Sequence, residues 1–197
     1  MAIRSLKSGT FSRSGMVGNP VIMPGSYESI QTVSGNGSSS QLTFNSIPST
    51  YSHLQIRVIL RGVRSYGSEQ LYIRLNGDGG NNYAYHYIYG DGGGGAVSTG
   101  SNTSGNVFLV GELPAANETS NIYGGSVIDI LDYTSPNKNT TMRSLSGYDN
   151  NGNTGAQSAK GWFGSGLWMN TAAVTSITVL SNGAFTSDSS IALYGVN

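Results

Sequence analysis

Hydrophobic and polar residues alternate along most of this chain. In HLQIRVIL, Leu54, Ile56, Val58 and Leu60 recur at every second position, with His53, Gln55, Arg57, Ile59 and then Arg61 between them. A period of two is that of a strand with one face buried and one face free. The same grammar predicts strands over 26–33, 41–47, 53–61, 70–76, 83–89, 107–112, 126–133, 140–148, 174–181 and 190–196, at the roughly ten-residue spacing of sandwiches and barrels. Between them lie GNGSSS, NGDGGNN, GDGGGG, NNGNTG and SNG, clusters in which Gly or Asn readily takes positive φ. No window keeps a helical apolar period beyond two turns. The expected fold is all-β, an antiparallel β-sandwich of the jelly-roll kind over 27–197. The arginine-bearing face of the 53–61 strand is expected to point outward or toward a partner.

Residues 1–26 break the pattern. Ser, Gly, Pro20 and Pro24 dominate, and Arg4, Lys7 and Arg13 all precede the first acid, Glu28. This composition predicts an extended N-terminal arm. Apolar anchors among the cations make it a candidate attachment device, with Arg4, Leu6, Lys7, Phe11, Arg13, Met16 and Val17 as the contact residues.

Composition narrows the class. The 197 residues include 29 glycines and 12 tyrosines but no cysteine, so disulfides and thiolate metal sites are excluded. Ten basic and ten acidic residues cancel, which argues against an electrostatic nucleic-acid binder. The first residues carry positive charge with no apolar stretch behind them, so no secretory signal is expected. No run approaches the roughly 18 apolar residues of a membrane helix.

Candidate chemistry is sparse. The two histidines, His53 and His86, lack triad or ligand spacing. Asp129 and Asp132 fall on opposite strand faces, and Glu112 and Glu118 flank the LPAAN turn with nothing to tune them as an acid–base pair. NGDGGNN and DNNGN are rich in oxygen ligands but depart from the calcium-loop pattern. No enzymatic activity, metal or cofactor is expected. The remaining feature is a tyrosine ladder, Tyr83, Tyr85, Tyr87 and Tyr89, with Trp162 as a further aromatic. Such a ladder fills a core, makes a subunit interface, or forms a platform on which sugar rings stack.

The run FNSIPSTYSHLQIRV, then LYIRLNGDGGNNYAYHY, then Trp168 with TAAVTSITVLSNGAF, and finally SSIALYGV, resembles small virion proteins of tailed bacteriophages, especially phages of cyanobacteria. The leader IRSLKSGTFSRSGMVGN is similar to theirs, and the resemblance spans essentially the whole chain. It implies a β-sandwich carried on the phage particle and assembled in the host cytoplasm. The role implied first is a capsid decoration or cement protein. It would be a homo-oligomer, a trimer being favoured, with the major capsid protein or a tail protein as partner. The alternative is a tail-fibre or receptor-binding module that holds a host glycan on its aromatic surface.

Overall fold

The computed structural model describes residues 27–91, 97–150 and 159–197. The proposed arm, with Arg4, Leu6, Lys7, Phe11, Arg13, Met16 and Val17, lies outside the described residues, as do parts of GDGGGG and DNNGN. The described chain is all-β, in twelve strands. They are β1 (Tyr27–Ser34), β2 (Gln41–Phe44), β3 (His53–Leu60), β4 (Ser68–Leu75), β5 (Tyr83–Asp91) and β6 (Val97–Gly105). The second half holds β7 (Phe108–Pro114), β8 (Gly124–Leu131), β9 (Thr140–Tyr148), β10 (Lys160–Trp168), β11 (Ile177–Ser181) and β12 (Ser190–Val196).

Two antiparallel sheets pack face to face. The larger has eight strands in the order β1-β12-β3-β8-β9-β10-β5-β6, and the smaller has four in the order β2-β11-β4-β7. The expected alternation in β3 holds. Leu54, Ile56, Val58 and Leu60 are buried, as are Ile128 and Ile130 of β8 and Ile191 and Leu193 of β12. Facing them are Phe44, Leu71, Ile73, Leu75, Ile177 and Val179 of the small sheet. Because four strands cannot cover eight, the β10-β5-β6 side of the large sheet overhangs. β7 reaches across to it through Phe108, which packs edge-on against Tyr85, and β4 meets it at Tyr83.

Local chemistry sets the strand ends. Asn76 and Gly77 have φ of 51° and 66°, and Asp78 N–H donates to the Leu75 carbonyl at 2.9 Å, so a tight turn closes β4. The Asn76 side chain accepts from the N–H groups of Thr175 (2.8 Å) and Ser176 (3.1 Å). Those donors are thereby taken from the ladder, which is why β11 begins at Ile177 and not at residue 174. Ser46, at a φ of 53°, ends β2 three residues before the expected 47. The IPSTY turn is locked from the far end of the chain. Tyr133 O–H donates to the Pro48 carbonyl, and the Tyr51 ring lies so close to Gly195 that a Cβ there would sit 2.3 Å from it. The LYG ending is thus the seat of the IPSTY tyrosine.

Two strands, β6 and β10, were not expected from the sequence, because VSTGSNTSG and KGWFGSGLW hide their alternation in glycine and serine. Arg61 is a second correction. It is 8% exposed and does not share the outward face of Arg57. Its guanidinium donates to the carbonyls of Glu118 (2.9 Å), Thr119 (2.8 Å) and Ile122 (2.8 Å), tying down the loop between β7 and β8.

Candidate functional site

The tyrosine ladder lies on the inner face of β5, at the fringe where the small sheet ends. Tyr83 is fully buried in the core, and its hydroxyl accepts from Leu75 N–H at 2.8 Å. Burial pushes its pKa up to about 12. Trp162, from β10, is 3% exposed and lies stacked against Tyr87 (centroids 4.2 Å apart) and Tyr89 (5.0 Å). Lys160 Nζ lies 5.7 Å from the Tyr89 ring centre and pairs at 2.5 Å with Glu112, both side chains about 15% exposed or less. Tyr85, Tyr87, Tyr89 and Trp162 are therefore brought together as a stack. Tyr83 and Trp162 have no free ring face to offer a sugar, so the five do not make one flat platform. The stack closes the open fringe of the core.

The acids and histidines are dispersed. Glu112 also accepts from Ser68 Oγ at 2.7 Å, while Glu118 accepts from Asn150 at 3.3 Å. His53 Nδ1 accepts from Asp132 N–H at 3.0 Å, and His86 stands exposed on the other side of β5. In NGDGGNN, Asp78 accepts from Gly80 N–H (2.9 Å), Asn82 (2.9 Å) and the Trp168 indole (2.7 Å). The Trp168 hydrogen bond, with those of Asn82 and Gly80, holds its carboxyl below the usual aspartate range. Among the described residues no three of His, Cys, Asp and Glu gather as a metal site.

The unexpected feature is the outer face of the large sheet. Register places side chains on it in parallel rows, and three adjacent rows define its character. The first is polar: Gln55, Asp129, Arg143, Ser165, His86 and Ser101 stand opposite one another across β3, β8, β9, β10, β5 and β6. Gln55 donates to Asp129 at 3.0 Å, and Arg143 lies 3.4 Å from it. The second row runs Arg57, Val127, Leu145, Phe163 and Ile88. Its four apolar members are 40%, 64%, 49% and 44% exposed. Arg57 ends the row with its guanidinium 5.0 Å from the centre of the Tyr194 ring and 5.5 Å from that of Tyr27.

The third row is Ile59, Gly125, Gly147, Gly161, Gly90 and Val97. Four glycines in register leave a trough beside the apolar ridge, with Ile59 (57% exposed) and Val97 (65%) at its two ends. At Gly90, Gly125 and Gly161 an added Cβ would meet nothing within 4 Å. At Gly147 a Cβ would lie 2.5 Å from the Lys160 carbonyl oxygen, so packing inside this chain demands glycine at one of the four positions and not at the other three, although glycine in a strand costs about 0.5–1 kcal/mol relative to alanine. Glycine in a strand often marks the close approach of something else.

The ridge is hard to see in the sequence because each strand contributes only one or two apolar residues to an otherwise polar or glycine-bearing face. The available signal was parity: Ile59, Ile88, Val127, Leu145 and Phe163 each sit out of phase with the buried set. Comparison with protein-family models, with curated proteins and with solved structures finds no match to this chain.

Proposed function

We propose that this chain is a non-enzymatic structural protein of a virion, in the capsid-decoration role, and that it self-assembles through the outer face of its large sheet. The observation that carries the assembly is the exposed ridge Val127–Leu145–Phe163–Ile88 beside a glycine trough. Eight strands at about 4.8 Å and eight residues at about 3.3 Å give a face of about 1,000 Å². A standard interface takes about 800 Å² from each partner, so one further copy is enough to cover it. The face nearly balances its own charge, with Asp129 against Arg143, which suits a surface that meets itself. Packing the same patch from both copies is isologous and closes as a dimer; this replaces the trimer as the assembly proposed.

The virion assignment rests on the resemblance of FNSIPSTYSHLQIRV and SSIALYGV to phage structural proteins and, by analogy, on topology. With β5, β6, β9 and β10 set aside, two four-stranded sheets remain, β1-β12-β3-β8 and β2-β11-β4-β7. The chain passes between them with its first described strand beside its last, which supports the jelly-roll reading, an architecture found in viral capsid and lectin domains. Fold analogy alone does not assign function. Two measurements test the proposal. Sedimentation of the purified chain at micromolar concentration should give a dimer; a monomer would refute the assembly. Quantitative mass spectrometry of virions should count this chain in hundreds of copies, and a count of a few would refute the decoration role.

A further inference from the structure

A second surface, away from the ridge, has the makings of a ligand site. Where the end of β6 meets the outer side of the small sheet lies a cleft of about 350 Å³ lined by Tyr72, Arg74, Tyr85, Asn102, Asn106 and Asn182 among others. Small-molecule sites start at about 300 Å³. We propose that this cleft binds an acidic sugar, a hydroxylated ring bearing a carboxylate, with Arg74 taking the carboxylate.

Three observations converge. The first is Arg74 itself. Its neighbours Ile73 and Leu75 face the core, so its side chain lies on the outer side of β4. Its Nε is buried with no hydrogen-bond partner, and no described carboxylate lies within 4.0 Å of its guanidinium. Asp78 feels its charge but is already held by Trp168, Asn82 and Gly80. A buried donor without an acceptor is left with its desolvation uncompensated, and a guanidinium fork matches a carboxylate in two parallel hydrogen bonds.

The second observation is backbone irregularity. The β4–β7 ladder shifts register between Leu71 and Tyr72, and the β5–β6 ladder shifts between Tyr83 and Tyr85. Each shift falls beside a tyrosine of the cleft. Bulges re-aim side chains and are over-represented next to binding and catalytic sites.

The third is the remaining lining. Asn amides both donate and accept, which suits vicinal hydroxyls. Asn102 Oδ1 already accepts from Ser104 N–H at 2.8 Å, leaving its NH₂ to donate. Tyr72 and Tyr85 supply apolar ring surface, and the Tyr72 ring is held in place by its hydroxyl, which donates to Gln70 Oε1. Arginine alone would suit any anion; amides and tyrosines around it favour a sugar acid. This site is independent of self-association through the outer face of the large sheet, which its lining does not include.

The test is nuclear magnetic resonance of the full ¹⁵N-labelled chain, following the Arg74 Nε–H signal during titration with sodium glucuronate, glucose or sodium acetate. Glucuronate should shift it saturably, with a Kd on the order of 1 mM or tighter, and glucose and acetate should each bind at least about tenfold more weakly. Arg74→Gln should weaken glucuronate binding at least about tenfold at an unchanged melting temperature. Should that variant fold poorly, Asn182→Ala, at an exposed position, should weaken binding several-fold. No shift with glucuronate, equal affinity for acetate, or unchanged binding by the variants would overturn the site.

Discussion

Leu145 stands at the middle of the apolar ridge, opposite Val127 on one side and Phe163 on the other, and is 64% exposed. Replacing it with lysine tests the proposed assembly, because the folded monomer has little to lose there. Fully burying a leucine side chain contributes about 1.5–3 kcal/mol. With 64% of the residue still open to water, about 1–2 kcal/mol per copy is left to be gained on association. An isologous contact uses the residue twice, so the dimer should lose about 2–4 kcal/mol, a weakening of about 30- to 1,000-fold. Two ammonium groups facing each other near the symmetry axis push in the same direction.

Sedimentation equilibrium of wild type, Leu145→Lys and Leu145→Ser, at matched concentration and salt, reads the effect directly. The serine variant removes the apolar surface without adding charge. Thermal unfolding of the monomer should move little for either, since surface substitutions of this kind stay within about 0.5 kcal/mol. If both variants associate as tightly as wild type, Leu145 is outside the interface and the ridge does not drive assembly.

Opposite faces of β10 should answer differently to the same substitution. At Gly166 a Cβ would lie 2.3 Å from the buried Phe108 ring, so Gly166→Ala should cost about 1–3 kcal/mol in urea unfolding. At Gly161 the space inside the chain is open, so Gly161→Ala, measured at concentrations where the chain is monomeric, should leave stability unchanged or raise it by up to about 1 kcal/mol; equal losses at both sites would refute the face assignment. Arg61→Met removes the donors to three loop carbonyls and should destabilise by about 3 kcal/mol or more, with lysine recovering less than half; a loss under about 1 kcal/mol would show that the loop holds without it. The Asp78 carboxyl has its pKa lowered in the fold, so its stabilisation is present at neutral pH and is lost as pH falls below about 4 and through the lowered value. The stability gap between wild type and Asp78→Asn should therefore shrink in acid, and a gap that stays constant would place the effect elsewhere.

Legibility in the sequence followed burial. Strands with one face in the central core, such as β3, β8 and β12, announce themselves because Ile, Leu and Val are excluded from water on alternate residues. Their outer positions were legible only as polar on average. What the sequence could not separate was the role of residues whose environment comes from distant segments. Arg61 looks like the next outward arginine after Arg57, yet the carbonyls of Glu118, Thr119 and Ile122 draw it inward. The four tyrosines of β5 share one face as expected, but Tyr83 reaches under the small sheet while Tyr85, Tyr87 and Tyr89 lie beyond its edge. The ridge and trough depend on strand neighbours far apart in sequence, so register had to be known before Leu145 and Phe163 could be seen as one surface.

The strands outside the two four-stranded sheets also explain why β6 and β10 were hidden. The β5–β6 and β9–β10 hairpins widen one sheet only, and a widened sheet has an uncovered inner face and a wider outer one. The inner face is closed at its fringe by large rings, Tyr87 and Tyr89 on Trp162, with Phe108 of β7 laid into the space that Gly166 leaves. Glycine on that side is required by contact. On the outer side Gly90, Gly125 and Gly161 touch nothing, and residues of higher strand propensity would strengthen the sheet at no steric cost within the monomer. Glycine at these three positions, beside leucine and phenylalanine left in water, is what the proposed close approach of a second copy would use. The same composition that blurred these strands in the sequence is thus the physical argument for the proposed self-association.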